Sequence, residues 1–196
     1  MKSIDGEYTG DFGLWLARYL KGSSQFSVYH DHGKRQEDPT VAAIKGFWGH
    51  EVSNRNRLTD IDVMVVNKAS NEVVLLIEIE ESQMPPKKLL GDIFAAIMCN
   101  HFAVRIENKN RNFALSSRTR LIVAGVDPNS TEDQNIAESA IKERFGGVAF
   151  PDNAIPIENI KVITKGDISK TLKALQDEVM GIFPMGQGSG TPHTIC

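Results

Sequence analysis

Apolar and polar positions along the chain alternate with two periods, and each period predicts an element. In GDFGLWLARYLK (10–21), Phe12, Trp15, Leu16, Tyr19 and Leu20 fall at helical spacing and predict a helix with one buried face. QFSVYH (25–30) predicts a short strand, followed by a charged turn, DHGKRQEDP. Residues 40–48 fit helix and strand equally. DIDVMVVN (60–67) and EVVLLIEIE (72–80) are rich in Val and Ile, and the polar KASN between them predicts an antiparallel hairpin.

Pro85 and Pro86 close the second of these strands, and KKLLGDIFAAIMCNHF (87–102) then predicts a helix with Leu89, Leu90, Ile93 and Ile97 on one side. RLIVAGV (120–126) predicts a strand ended by DPNS, and Ser130 with Asp133 resembles a capping box opening a helix that runs to about Phe145. IKVITKG (160–166) predicts one more strand. The last helix has Asp167 as its N-cap and Ile168, Leu172, Leu175 and Val179 as its stripe. Strands mixed with helices in this order imply an α/β fold, a mixed sheet covered by helices. The chain of 196 residues suits one domain, expected over 1–183. The Gly-, Pro- and Ser-rich tail PMGQGSGTPHTIC (184–196) is expected to be disordered.

Composition narrows the function classes. Net charge is −3, so a nucleic-acid surface has to be local rather than global. MKSIDGEYTG at the start lacks the apolar centre of a signal peptide, and no apolar run approaches the about 20 residues that span a bilayer. Cys99 and Cys196 make neither a disulfide framework nor a zinc cluster. The expectation is a cytoplasmic protein without a membrane partner. There is no Gly-rich phosphate loop opening a helix and no Ser in a G-x-S-x-G setting.

The two central strands carry acids inside apolar runs. Side chains alternate along a strand, so Glu78 and Glu80 point to one face, and Asp60 and Asp62 likewise share a face. Close carboxylates repel and raise one another's pKa. A hard divalent cation resolves the repulsion, because Mg²⁺ takes one or two carboxylate oxygens together with waters and phosphate. The competing reading of LLIEIEES is an edge strand with one wet face.

Acid, hairpin, paired acids, Pro and helix, in that order, resemble the core of the PD-(D/E)xK nuclease superfamily, the fold of many restriction endonucleases and Holliday-junction resolvases. The resemblance covers residues 7 to 126 and rests on a short, degenerate motif. It implies a restriction-endonuclease-like mixed sheet flanked by helices, with metal-dependent hydrolysis of phosphodiester bonds. Asp62 stands for the first acid, Glu78 for the second and Glu80 for the lysine, while helix 10–21 fits the opening helix and Glu7 its additional acid. The family places its first acid just before the apolar run, which favours Asp62; Asp60 is expected to be a solvated strand-start residue. The implied cofactor is Mg²⁺ or Mn²⁺ on Asp62, Glu78 and the Ile79 carbonyl. Glu80 departs from the family's lysine, as it does in some restriction endonucleases, so the basic partner falls to Lys87 or Lys88, or a second metal takes its place.

Other residues bear on substrate. RIENKNRNFALSSRTR (105–120) is the densest basic stretch, with Arg105, Lys109, Arg111, Arg118 and Arg120 against Glu107. It is read as a loop that either is solvated or follows a DNA backbone. Arg55 and Arg57, just before the acid strand, are candidates for a nearby phosphate. His30 and His32 flank Asp31, but zinc needs three or four protein ligands, and a polar strand end is the expected reading. The partner expected is DNA, with RNA and a homodimer left open. An inactive nucleic-acid-binding or protein-interaction module on the same fold stays as the alternative.

Overall fold

In the computed structural model, which describes residues 6–32, 40–83, 85–106, 109–127, 136–146 and 155–184, the chain opens with α1 (Glu7–Tyr19), β1 (Phe26–His30), β2 (Ile44–Phe47), β3 (Arg57–Ile61), β4 (Val63–Asn67) and β5 (Glu72–Gln83). It continues through α2 (Pro86–Ile97), β6 (His101–Ile106), β7 (Lys109–Ala114), β8 (Arg120–Val126), α3 (Ile136–Phe145), β9 (Ile160–Lys165) and α4 (Ile168–Ile182). No helix among the described residues is long and apolar enough to cross a membrane.

The strands form one nine-stranded mixed sheet flanked by helices. Its main part runs β1-β4-β5-β8-β9. The β4–β5 hairpin and the β1–β4 pair are antiparallel, whereas β8 and β9 lie parallel to β5. A second arm, β7-β6-β2-β3, is antiparallel throughout and meets β5 at a single parallel pair, Glu72 with Ala114.

Both faces of the main sheet are covered, which is why its strands read as nearly continuous apolar runs. On β4, Val63 and Val65 pack with Phe12, Leu16, Leu172 and Leu175 of α1 and α4. Met64 and Val66 turn the other way, toward Leu89 and Ile93 of α2, Ile141 of α3 and Phe102 and Phe113 of the second arm. A bulge pairs Val65 with Leu75 but Val66 with Val73, leaving Val74 unopposed. Beyond it Leu75, Ile77 and Ile79 face α1 and α4, so Glu78 and Glu80 are sent to the α2 face. Glycines let α1 lie close to β1: a Cβ on Gly13 would stand 2.5 Å from the His30 Cβ. Asp167 caps α4 as predicted, accepting from the Lys170 N–H at 2.9 Å.

The structure corrects three expectations and decides one that the sequence leaves open. The 60–67 strand is not continuous, because the chain bends at Asp62 and its two halves join different neighbours. The ambiguous 40–48 stretch supplies strand β2 from Ile44 onward. The helix after Pro85 stops at Ile97, with Met98 as its C-cap. Residues 101–106 and 109–114 then pair as the antiparallel strands β6 and β7 instead of a helix end and a loop, since Phe102 and Phe113 face each other across them and are both buried. Ser130 and Asp133 lie outside the described residues, as do most of the charged turn after Asp31 and the tail beyond Pro184.

Candidate active site

The site forms where β4 stops and β5 continues. The hairpin ladder runs from the Asn67–Glu72 pair to Val63–Ile77, and β5 then extends to Gln83. Asp62, the residue before β4, leaves the ladder as a bend, and β3 turns away to pair with β2. The Ile79 N–H thus loses its strand partner and donates instead to Asp62 Oδ2 at 2.7 Å. The N–H and C=O of one strand residue lie on the same edge, so the Ile79 carbonyl faces the Asp62 side as well. The Asp62 carbonyl accepts from the Asp31 N–H at 2.8 Å, and His32 Nε2 stands 3.3 Å from Asp62 Oδ1.

Continuing the register places Glu78 opposite Asp62. Its Oε2 is buried and has no hydrogen-bond partner among the described residues. Burial, then the charges of Asp62 and Asp92, raise the Glu78 pKa to about 9 against the pull of Lys88 and the Asp62 backbone. A buried acid beside two others is stable only with a proton or a cation. Glu80, one step along the same face, is ion-paired with Lys88 from the first turn of α2. Ser82 Oγ donates to Glu80 as well, at 2.5 Å. Burial pushes the Glu80 carboxyl up, but Lys88 and Ser82 together hold it below the ordinary value. Lys88 also reaches Asp92 Oδ2 at 3.5 Å, one helical turn on. Burial works against the charged Lys88, yet Glu80 and Asp92 raise its pKa. Burial first, then the neighbouring Glu80 and Asp62, raise that of Asp92 despite Lys88.

Asp92, His32 and Glu81 belong to this region without having been singled out as site residues by sequence. Asp92 had a readable signal, its i,i+4 relation to Lys88. Glu81 points to the opposite face from Glu80, where its Oε1 accepts from Thr9 N–H and Thr9 Oγ, both at 2.8 Å.

The remaining candidates lie apart from these carboxylates or show no contact with them. Glu7 is exposed at the start of α1, and Lys87 is exposed beside Lys88. Asp60 is exposed and ion-paired with Arg57, while Arg55 is exposed on the β2–β3 connection. Arg105 and Lys109 are exposed on the β6–β7 hairpin, and Arg120 is exposed at the start of β8. The Arg111 guanidinium lies 5.2 Å from the Phe113 ring centre and donates to the Tyr29 hydroxyl at 3.4 Å. Arg118 pairs with Glu72 at 3.6 Å. Glu72 begins β5, and at about 3.3 Å per strand residue it stands roughly 20 Å from Glu78. Arg118 therefore lies toward the other end of β5 from the acids.

Among the described residues, no three His, Cys, Asp or Glu side chains form a group that could hold a metal ion. The donors at the fork are oxygens: two carboxylates, with a strand carbonyl on the same edge. That set is of the hard type Mg²⁺ accepts with only one or two protein carboxylates, and the orphaned Glu78 Oε2 is a donor lacking a partner. No protein-family model, curated protein or solved structure matches the chain.

Proposed function

We propose that the chain is a divalent-metal-dependent phosphodiesterase of the restriction-endonuclease-like kind, acting on DNA. The observation that carries this reading is Glu78 Oε2, a buried carboxylate oxygen without a partner among the described residues, opposite Asp62 at the open end of a strand hairpin. Asp62 and Glu78 would hold Mg²⁺ or Mn²⁺, with the Ile79 carbonyl as a third oxygen. Such an ion, when bound, polarises a phosphoryl oxygen and lowers the pKa of water.

The protein's own groups do the rest. Lys88 brings a fixed ammonium to Glu80, so the positive charge that the family pattern carries on the strand arrives here from α2. Asp92 and Glu80 hold that ammonium from two sides and set where it meets a phosphate oxygen. The Ile79 N–H fixes one Asp62 oxygen and thereby the plane of the carboxylate.

Incubation with supercoiled plasmid tests the reading. Relaxed and linear products are expected with Mg²⁺ or Mn²⁺ and not with EDTA. Intact plasmid under all conditions, together with no Mn²⁺ binding by the protein, overturns it. Cleavage of RNA in preference to DNA replaces the substrate class.

A further inference from the structure

We propose that His32 is a positioning residue of this site, donating from Nε2 to Asp62 Oδ1 so that the carboxylate meets its cation in one orientation. The inference rests on the reading of Asp62 and Glu78 as metal ligands.

A carboxylate held by one hydrogen bond still swings about its Cβ–Cγ bond. Asp62 has donors on both oxygens, Ile79 N–H on Oδ2 at 2.7 Å and His32 Nε2 on Oδ1 at 3.3 Å. The pair fixes the carboxylate plane, and each oxygen keeps a lone pair for a ligand. Hydrogen-bonding partners of metal-ligating carboxylates act in this way, orienting the ligand without touching the ion.

The placement of His32 is built by three independent contacts. The Asp31 N–H donates to the Asp62 carbonyl at 2.8 Å, which ties the residue before His32 to the residue it serves. His30 Nδ1 lies 2.6 Å from the His32 carbonyl. A carbonyl only accepts, so His30 carries its proton on Nδ1 and locks the turn between the two histidines. The start of α1 forms a wall against the ring. Gly6, at φ +84°, leaves the space that a Cβ would take from the imidazole, and a Cβ on Gly10 would come within 3.4 Å of the His32 carbonyl. The ring itself is 42% exposed and belongs to neither hydrophobic cluster, so filling the core does not account for its position.

The test is Mn²⁺ binding without substrate, followed by calorimetry and by electron paramagnetic resonance of the free ion. It compares wild type with His32→Gln, which keeps a donor amide nitrogen, and His32→Leu, which keeps bulk and loses the donor. His32→Leu is expected to weaken Mn²⁺ binding by about 10- to 100-fold. His32→Gln is expected to stay within a few-fold of wild type. Equal affinity in wild type and His32→Leu overturns the positioning role and leaves the metal site standing. Equal weakening in both variants, or loss of fold in both by circular dichroism, makes His32 structural and overturns it too. Absence of Mn²⁺ binding by wild type is the separate outcome that removes the underlying reading.

Discussion

Lys88, in the first turn of α2, is ion-paired with Glu80, the last acid on the α2 face of β5. Under the proposed reading Glu80 stands where the resembled family carries its lysine, so the arrangement is inverted: acid on the strand, cation on the helix. The connection between strand and helix is short and contains Pro85, which brings the first helical turn back over the strand end. Asp92 faces the same ammonium from one turn further along.

The inversion makes a charge swap informative. Lys88→Ala and Glu80→Ala are each expected to lower metal-dependent cleavage by about 100-fold, the usual loss for a fixed charge or donor at the reacting group. Glu80→Lys sets two ammonium groups against each other and is expected to be no better. The double variant Glu80→Lys/Lys88→Glu restores an opposite pair and should cleave faster than either single charge reversal. Such non-additivity is the signature of direct contact. Melting temperatures should move little, because a partly exposed pair is worth no more than about 1 kcal/mol. Additive rate losses would show that the two residues act separately.

Glu78 ties stability to pH. Its folded pKa of about 9 lies above the ordinary 4.5, burial being the main cause and Asp62 and Asp92 the next. Between those values the folded state holds a proton that the unfolded chain has lost, so the contribution is full below pH 4.5 and declines as pH rises toward 9. The slope from this group is at most about 1.4 kcal/mol per pH unit. Thermal melts of wild type from pH 5 to 9 should show this decline, and Glu78→Gln should remove it. An identical pH profile in the variant would place the Glu78 carboxyl in solvent.

The same proton bears on metal binding. A cation held by Glu78 has to displace it, so Mn²⁺ affinity should rise with pH, and calorimetry in buffers of different ionisation enthalpy should report release of about one proton. Asp62→Asn and Glu78→Gln are each expected to abolish Mn²⁺ binding and plasmid cleavage while the fold, read by circular dichroism, is kept. Wild-type cleavage by either variant would exclude that carboxylate as a ligand.

The hairpin and its acids were legible because Val and Ile dominate β4 and β5, so Asp62, Glu78 and Glu80 stand out as breaks in the apolar pattern. The fork was not legible. RLTDIDVMVVN contains no Gly or Pro to mark a break, and the bend at Asp62 arises because β3 finds β2 while β4 finds β5, a choice made by partners far apart in sequence. The β6–β7 hairpin is hidden for a local reason: Lys109–Ala114 has a single buried side chain, Phe113, and the helical spacing of α2 runs on into MCNHF. Nothing local announces that His32 meets Asp62, since α1 and the ends of β1 and β4 must assemble first.

Where DNA would lie is tested by salt dependence. Each phosphate neutralised by a cationic side chain adds close to one unit to the slope of log K against log salt. Lys87 is exposed and follows the chain directly into Lys88 at the carboxylates. Arg111 rests on Phe113, and Arg118 pairs with Glu72 roughly 20 Å along β5 from Glu78, again at about 3.3 Å per residue. Lys87→Ala is therefore expected to weaken binding to a DNA duplex and flatten the slope by about one unit. Arg118→Ala should leave the slope unchanged, since that guanidinium is already answered by a carboxylate. Arg111→Ala should cost about 0.5–1 kcal/mol of stability through its lost ring contact, with the slope again unchanged. Filter binding between 50 and 200 mM salt, with catalysis blocked by Ca²⁺ or EDTA, measures all three variants. A flatter slope for Arg111→Ala and Arg118→Ala, with Lys87→Ala like wild type, would put the duplex on the β6–β7 side of the sheet.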